Sequence, residues 1–247
     1  MSDQNYFPRP KTAKITTLLR QSWIFSKNNL FKIFLILLIV FIPRLLSNGM
    51  KLWLSFELNH GIYISDPLLT IYFYLDIIFF FLLIFLSVLS SIALLIFINS
   101  DDPTIKISWL YRQSLKKLLS YLWIFALLLL IITLGFFLFI IPGIIWLISF
   151  NFAIYILISE DLRGFAALRR SRALVKNYWW PTAIKYLALF GLFLLLLLPM
   201  IIIETFVTSE VAVFIKFFYE LAYSFLITLI ATPYSFYIYQ DLRDIKD

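Results

Sequence analysis

From Leu68 to Asn99 about 32 residues pass with a single charged side chain, Asp76. As a helix rising 1.5 Å per residue, such a run is roughly 48 Å long. A soluble domain of this size leaves too much of its surface in water to hide an element apolar on every side. A bilayer core of roughly 30 Å hides it, and the excess length is taken up by tilt or by projection beyond the core.

Five further apolar runs follow the same logic: Leu30 to Leu46, Tyr121 to Ile141, Gly143 to Ser159, Pro181 to Ile203 and Phe214 to Tyr239. The expected fold is therefore all-α and polytopic, with about six transmembrane helices paired as three hairpins. Residues 1–29 form an N-terminal arm and amphipathic helix, 30–240 the membrane domain and 241–247 a short tail. Composition agrees, with 62% hydrophobic residues, 14% charged and a mean hydropathy of +0.94, far from the half-apolar, quarter-charged balance of soluble chains.

Punctuation sets the expected boundaries. Pro43 and Arg44 close the first span, and Asn48 to Asp66, which holds the lone His60, reads as an outer loop with a brief interfacial helix. Pro142-Gly143 suits a sharp reversal between the third and fourth spans, and Pro181 suits the first residue of a new helix. The arm before the first span is polar and has no small-residue cleavage site, so it does not read as a signal peptide.

Several chemistries are excluded. The chain has no Cys and one His, which removes disulfides, thiol nucleophiles and thiolate or His-based metal sites. Gly-rich phosphate loops, paired catalytic carboxylates and nucleophile elbows are also missing. The expectation is a non-enzymatic protein with no cofactor and no metal. Its +7 net charge gathers at the ends of apolar spans, which points to anionic lipid headgroups and away from nucleic acid.

Orientation follows from counting. Of 21 Lys and Arg, six spans leave only three (Arg44, Lys51 and Lys216) on one side, so the other side receives the remaining 18. The positive-inside rule then puts both termini in the cytoplasm, with the chain in the inner (plasma) membrane.

A repeat is legible as well. Three times a short basic segment with Arg-x-Ser or Arg-Ser leads into an aromatic-flanked span: at Arg20-Gln21-Ser22, Arg112-Gln113-Ser114 and Arg170-Ser171. The even spans leave through Ile98 to Asp102, Ile158 to Gly164 and Ile238 to Asp244. The plan is a basic cytoplasmic helix plus a hairpin, used three times.

The candidate site is the third basic segment, with Arg163, Arg169, Arg170, Arg172 and Lys176 as contacts for a lipid headgroup or a protein partner. At 100° per residue Arg169, Arg172 and Lys176 share an arc of about 60°, while Ala167, Leu168, Leu174 and Val175 lie opposite. Such a helix lies in the headgroup layer with its bases toward phosphates. Phe165 falls within the basic arc and blurs it. Topology alone also accounts for the bases, which then pin the loop to the bilayer. The acids Asp101, Asp102, Glu160, Asp161 and Asp241 at the span exits are expected to cap helices or to pair with Arg163, Arg170 and Arg243. Asn151 is expected at mid-membrane as an interhelical polar clamp.

The stretch Ile141 to Trp180 resembles a family of bacterial and archaeal membrane proteins that includes the membrane domain attached to some glycerophosphoryl diester phosphodiesterases. The residues that carry the resemblance are Ile141-Pro142-Gly143-Ile144, Phe150, Phe152, Tyr155, Glu160, Ala166 to Ser171, Leu174, Lys176 and Trp179-Trp180. It implies six spans with cytoplasmic termini. The phosphodiesterase barrel itself is not implied, because nothing here supplies it. Two functions are carried forward from this reading. One is a membrane scaffold or lipid- and partner-interacting module. The other is a small transporter or permease subunit with a polar path around Asn151, Ser87, Ser90 and Ser91.

Overall fold

The computed structural model describes residues 11–60, 66–100, 102–206 and 210–247. The first ten residues of the arm, 61–65 of the expected outer loop, Asp101 of the first acidic exit and 207–209 before the last span lie outside the described residues. What is described is helical apart from short connections. Six helical stretches are long and apolar enough to cross a membrane: Leu30–Leu54, Asp66–Ser100, Ile107–Leu138, Ile140–Ser159, Trp179–Ile202 and Ile215–Lys246. The chain is an all-α, multi-pass membrane protein.

The first long helix, α2 (Leu30–Asn59), follows α1 (Ile15–Asn28) and runs straight through Pro43. It therefore continues where a loop from Asn48 was expected. A proline removes one helical hydrogen bond, but in lipid an unravelled backbone leaves many more polar groups unsatisfied, so the helix persists. Its extension brings Lys51 to 3.0 Å from Asp76 of α3 (Asp66–Ser100).

α3 has two regimes. Its first half exposes apolar side chains on several faces, with Phe73 62% and Phe81 65% exposed. Near its end Ile92, Ala93, Leu94 and Phe97 are at most 1% exposed, enclosed by protein on every side. The same core takes in one face each of α1 and α7 (Phe165–Val175), most of α6 (Ala153–Ser159) and the stretch of α9 (Glu210–Lys246) from Tyr234 to Leu242. One end of the molecule is thus a packed helical core, while the other leaves large apolar faces for the bilayer to cover.

The repeat differs among its copies. Its three serines, Ser22, Ser114 and Ser171, are all 0% exposed. Ser22 and Ser114 donate to the carbonyls four residues back, Leu18 and Leu110, whereas Ser171 donates to Ser149. In the first and third copies the basic helix is separate from its span, but in the second it is the start of one continuous helix, α4 (Ile107–Leu138). The sequence gives a reason. Lys27-Asn28 and Lys176-Asn177 stand at matching offsets after the serine, where the second copy has Leu119-Ser120. Asn tolerates the left-handed conformation that ends a helix; Asn177 adopts it with φ 75°, whereas α1 ends through Asn29 at φ −114°.

The expected reversal at Pro142-Gly143 lies slightly earlier. α4 ends at Leu138, Phe139 alone is extended (φ −167°, ψ 156°), and α5 (Ile140–Phe150) begins with Pro142 inside its first turn. Gly143 serves close approach instead of turning. A Cβ on Gly135 would lie 2.9 Å from the Gly143 Cα, and one on Gly143 would lie 2.6 Å from the Phe136 ring. Two hydrogens where side chains would stand let α4 and α5 fold back with one residue between them.

Substituting Gly143→Leu is expected to force this hairpin apart and to destabilise the protein by about 1–3 kcal/mol, the usual range for overpacking. Thermal unfolding in detergent, with Gly49→Leu as the control at a position open to space, checks it.

Candidate functional site

The fourth apolar run is one crossing in length but two helices in fact. α5 ends at Phe150, Asn151 and Phe152 form a turn, and α6 resumes at Ala153. A broken helix leaves its last carbonyls without N–H partners, and one of them is met from outside: Ser171 of the basic helix α7 donates to the Ser149 carbonyl at 2.8 Å. This contact docks α7 beside α5. Asn151, expected as an interhelical polar clamp, lies two residues on, at this turn, and lines a groove with Tyr155, Tyr186 and Ser235.

The approach to α7 is fixed by two backbone positions and a carboxylate. Asp161 and Gly164 both have φ 53°. At Gly164, with ψ −130°, a side chain is strained, and a Cβ would also lie 3.2 Å from the Trp123 indole nitrogen. Asp161 accepts from Lys117 at 2.7 Å and stands 3.7 Å from Arg163. The hydrogen bond and charge of Lys117 hold the Asp161 carboxyl below its ordinary value.

α7 then divides its bases. Ala167, Leu168, Leu174 and Val175 are buried in the core, and Phe165 is 65% exposed on the opposite side. Arg170, off the basic arc, is drawn inward: it donates to Glu160 at 3.1 Å and to Asp247 at 2.6 Å. Those partners, Asp247 first, raise its pKa above the usual arginine value. Its role is to join α7 to the end of α6 and to the chain's last residue. Arg163 is committed to Asp161. Arg169, Arg172 and Lys176 instead line one pocket of about 380 Å³ with Ser149 and Trp179, and among the described residues no carboxylate lies within 4 Å of them. Of the five candidate bases, Arg170 is thus structural, Arg163 makes a long, exposed ion pair, and three share a pocket.

That pocket adjoins a larger one. A groove of about 1020 Å³ runs between α5 and α8 (Trp179–Phe206), open along one side. Trp179 walls both spaces and donates to the Ile145 carbonyl at 3.3 Å. The groove is apolar over most of its length, from Ile141 and Ile148 to Phe190 and Phe193. Its polar side chains are Asn151, Tyr155, Tyr186 and Ser235. The Tyr186 hydroxyl is buried without a hydrogen bond of acceptable geometry, although Asn151 and Ser235 lie close enough to act on it. Sequence reading missed this site because Tyr155, Tyr186 and Ser235 come from three helices and have no shared spacing.

The serine face considered for a transport path lies elsewhere. Ser90 is buried against the Ile36 carbonyl and the Tyr111 hydroxyl, and Ser91 bonds back to Ser87. None of the three lines the groove that holds Asn151. Asp241, expected to pair with Arg243, instead pairs with Lys185 of α8 at 2.8 Å, with the side chains 17% and 4% exposed. Both Asp241 oxygens also accept the Ala13 N–H, at 3.1 and 3.0 Å. Arg243 turns to Asp244 at 3.7 Å and over the Tyr239 ring.

No family model, curated protein or solved structure matches the chain. The resemblance to the membrane domain of glycerophosphoryl diester phosphodiesterases thus stands on the residues of Ile141 to Trp180 alone. The class the fold defines is a multi-pass α-helical membrane protein with a basic pocket opening beside an apolar groove.

Two outcomes follow. Lys185→Met leaves the Asp241 carboxylate buried and unpaired, so it is expected to cost about 3–5 kcal/mol, whereas Lys185→Met with Asp241→Leu recovers much of the loss; thermal unfolding of both variants in one detergent checks the ordering. Asp161, whose folded pKa is depressed, contributes its full stabilisation above the unfolded value near ~3.9. That contribution is lost as pH falls through the lower folded value, so acid unfolding of the native protein carries a small pH-dependent component that Asp161→Asn removes.

Proposed function

We propose that this protein is a non-enzymatic module of the inner membrane, both termini cytoplasmic, that binds anionic phospholipid headgroups through α7 and so acts as a lipid-interacting scaffold. The observation that carries the reading is the convergence of Arg169, Arg172 and Lys176 on one pocket without a described acidic partner, while Arg170 is held by Glu160 and Asp247 and Arg163 lies 3.7 Å from Asp161. Cations without a protein counter-ion at the end of apolar spans have phosphate as their nearest anion. The side bearing most of the Lys and Arg is the cytoplasmic one under the positive-inside rule, and α7 belongs to it.

The test is lipid retention by the purified full chain. Each base near an anionic surface contributes roughly 1 kcal/mol, so Arg169→Gln, Arg172→Gln and Lys176→Gln together are expected to weaken binding of phosphatidylglycerol on the order of a hundredfold at low salt. Arg170→Gln is expected to lower thermal stability and to leave lipid affinity nearly unchanged. Equal affinity in the triple variant and the native protein would reduce α7 to a topological anchor.

A further inference from the structure

The groove between α5 and α8 has a form that headgroup binding alone does not explain. It is walled by apolar side chains, open along one side, and contains a buried tyrosine hydroxyl, Tyr186, to which the nearby Asn151 and Ser235 give no hydrogen bond of good geometry. A buried hydroxyl left unpaired is costly, and native structures rarely retain one without a ligand, water or functional role. The groove also begins where the basic pocket ends, since Trp179 is part of both.

We propose that the groove seats an acyl chain of an intact anionic glycerophospholipid, whose phosphate lies against Arg169, Arg172 and Lys176 and whose ester carbonyl accepts from Tyr186 and Asn151. The proposal rests on the headgroup reading above and adds the identity of the bound molecule. The two spaces meet at Trp179, which walls both, and Ser149 and Asn151, two residues apart, each line one of them. The chemistry also matches at each station. Guanidinium and ammonium groups are donors only, as a phosphate needs, and the Tyr hydroxyl and Asn amide each offer a donor to a carbonyl. Elsewhere the groove is lined by Ile148, Leu189 and Phe193, which present only hydrocarbon. The volume, about 1020 Å³, is at the upper end of small-molecule sites.

The full chain in detergent is titrated with dipalmitoyl phosphatidylglycerol and with its diether analogue, which keeps the phosphate and chains but lacks the ester carbonyls, and binding is read by native mass spectrometry. The native protein is expected to prefer the ester lipid by about tenfold. Tyr186→Phe, which keeps the ring and removes the hydroxyl, is expected to shrink that preference to about twofold or less. Ala183→Trp, which fills the groove, is expected to weaken both lipids at least tenfold. A native protein indifferent to ester against ether, or full binding by Ala183→Trp, overturns the groove as the chain site; if the triple α7 variant still loses affinity, the headgroup reading survives that result. Undiminished binding by the triple variant overturns the headgroup reading and this proposal with it.

Discussion

A carboxylate inside the packed end of the molecule sets much of the arrangement. Asp241 is almost enclosed, and a charge taken out of water demands a partner and hydrogen bonds on its remaining lone pairs. It gets both, from Lys185 of α8 and from the Ala13 N–H just before α1. Three segments far apart in sequence are thereby held to one point. Neighbouring polar contacts extend the junction: Tyr234 donates to the Lys185 carbonyl, Ser26 to the Leu229 carbonyl, and Tyr239 to Glu160. Tyr234, Tyr239 and Ser26 are fully buried, so these three have no water to fall back on. Their mutual satisfaction fixes which helices are neighbours, a selectivity that apolar packing in lipid supplies poorly.

The division between a packed end and a lipid-facing end follows. In α3 the same kind of sequence, rich in Phe, Ile and Leu, is enclosed near Ile96 and open near Phe81, so burial is decided by what the polar junction draws around the helix and not by composition. α7 owes its place to the same logic. Its apolar face joins the core, Arg170 is captured by Glu160 and Asp247, and Ser171 meets a carbonyl freed by the break in the fourth run. With those contacts made, the remaining rotation of the helix is fixed, and Arg169, Arg172 and Lys176 point to the pocket beside Trp179.

The fold class was legible in the sequence because lipid imposes a severe rule: long apolar runs have to be helices. The division of α7 into two faces was legible for a similar reason, since 100° spacing leaves few choices. What escaped were features decided by partners. The segment from Asn48 reads as a loop with a brief, separate interfacial helix, yet as far as Asn59 it continues α2 and delivers Lys51 to Asp76. Asp241 has Arg243 two residues away, but its partner comes from another helix. Asn151 reads as an interhelical clamp, but its neighbours Tyr155, Tyr186 and Ser235 come from other places in the chain with no shared spacing. Arg170 is indistinguishable from Arg169 in sequence, and only the positions of Glu160 and Asp247 separate a structural base from one facing a pocket.

That separation bears on how a membrane protein builds a site without metal ligands or paired catalytic acids. A phosphate site in water competes with hydration, so it needs several aimed donors; at the edge of a bilayer the ligand is already concentrated and oriented, and a few bases with no protein counter-ion suffice. The limiting requirement becomes the opposite one, to keep nearby acids away. In this chain each acid near α7 is occupied: Asp161 by Lys117, Glu160 by Arg170 and Tyr239, and Asp247 by Arg170. The ion pairs around the helix therefore shape its specificity as much as its stability, because an unsatisfied carboxylate within reach of Arg169 or Arg172 would take the place that a lipid phosphate is proposed to fill.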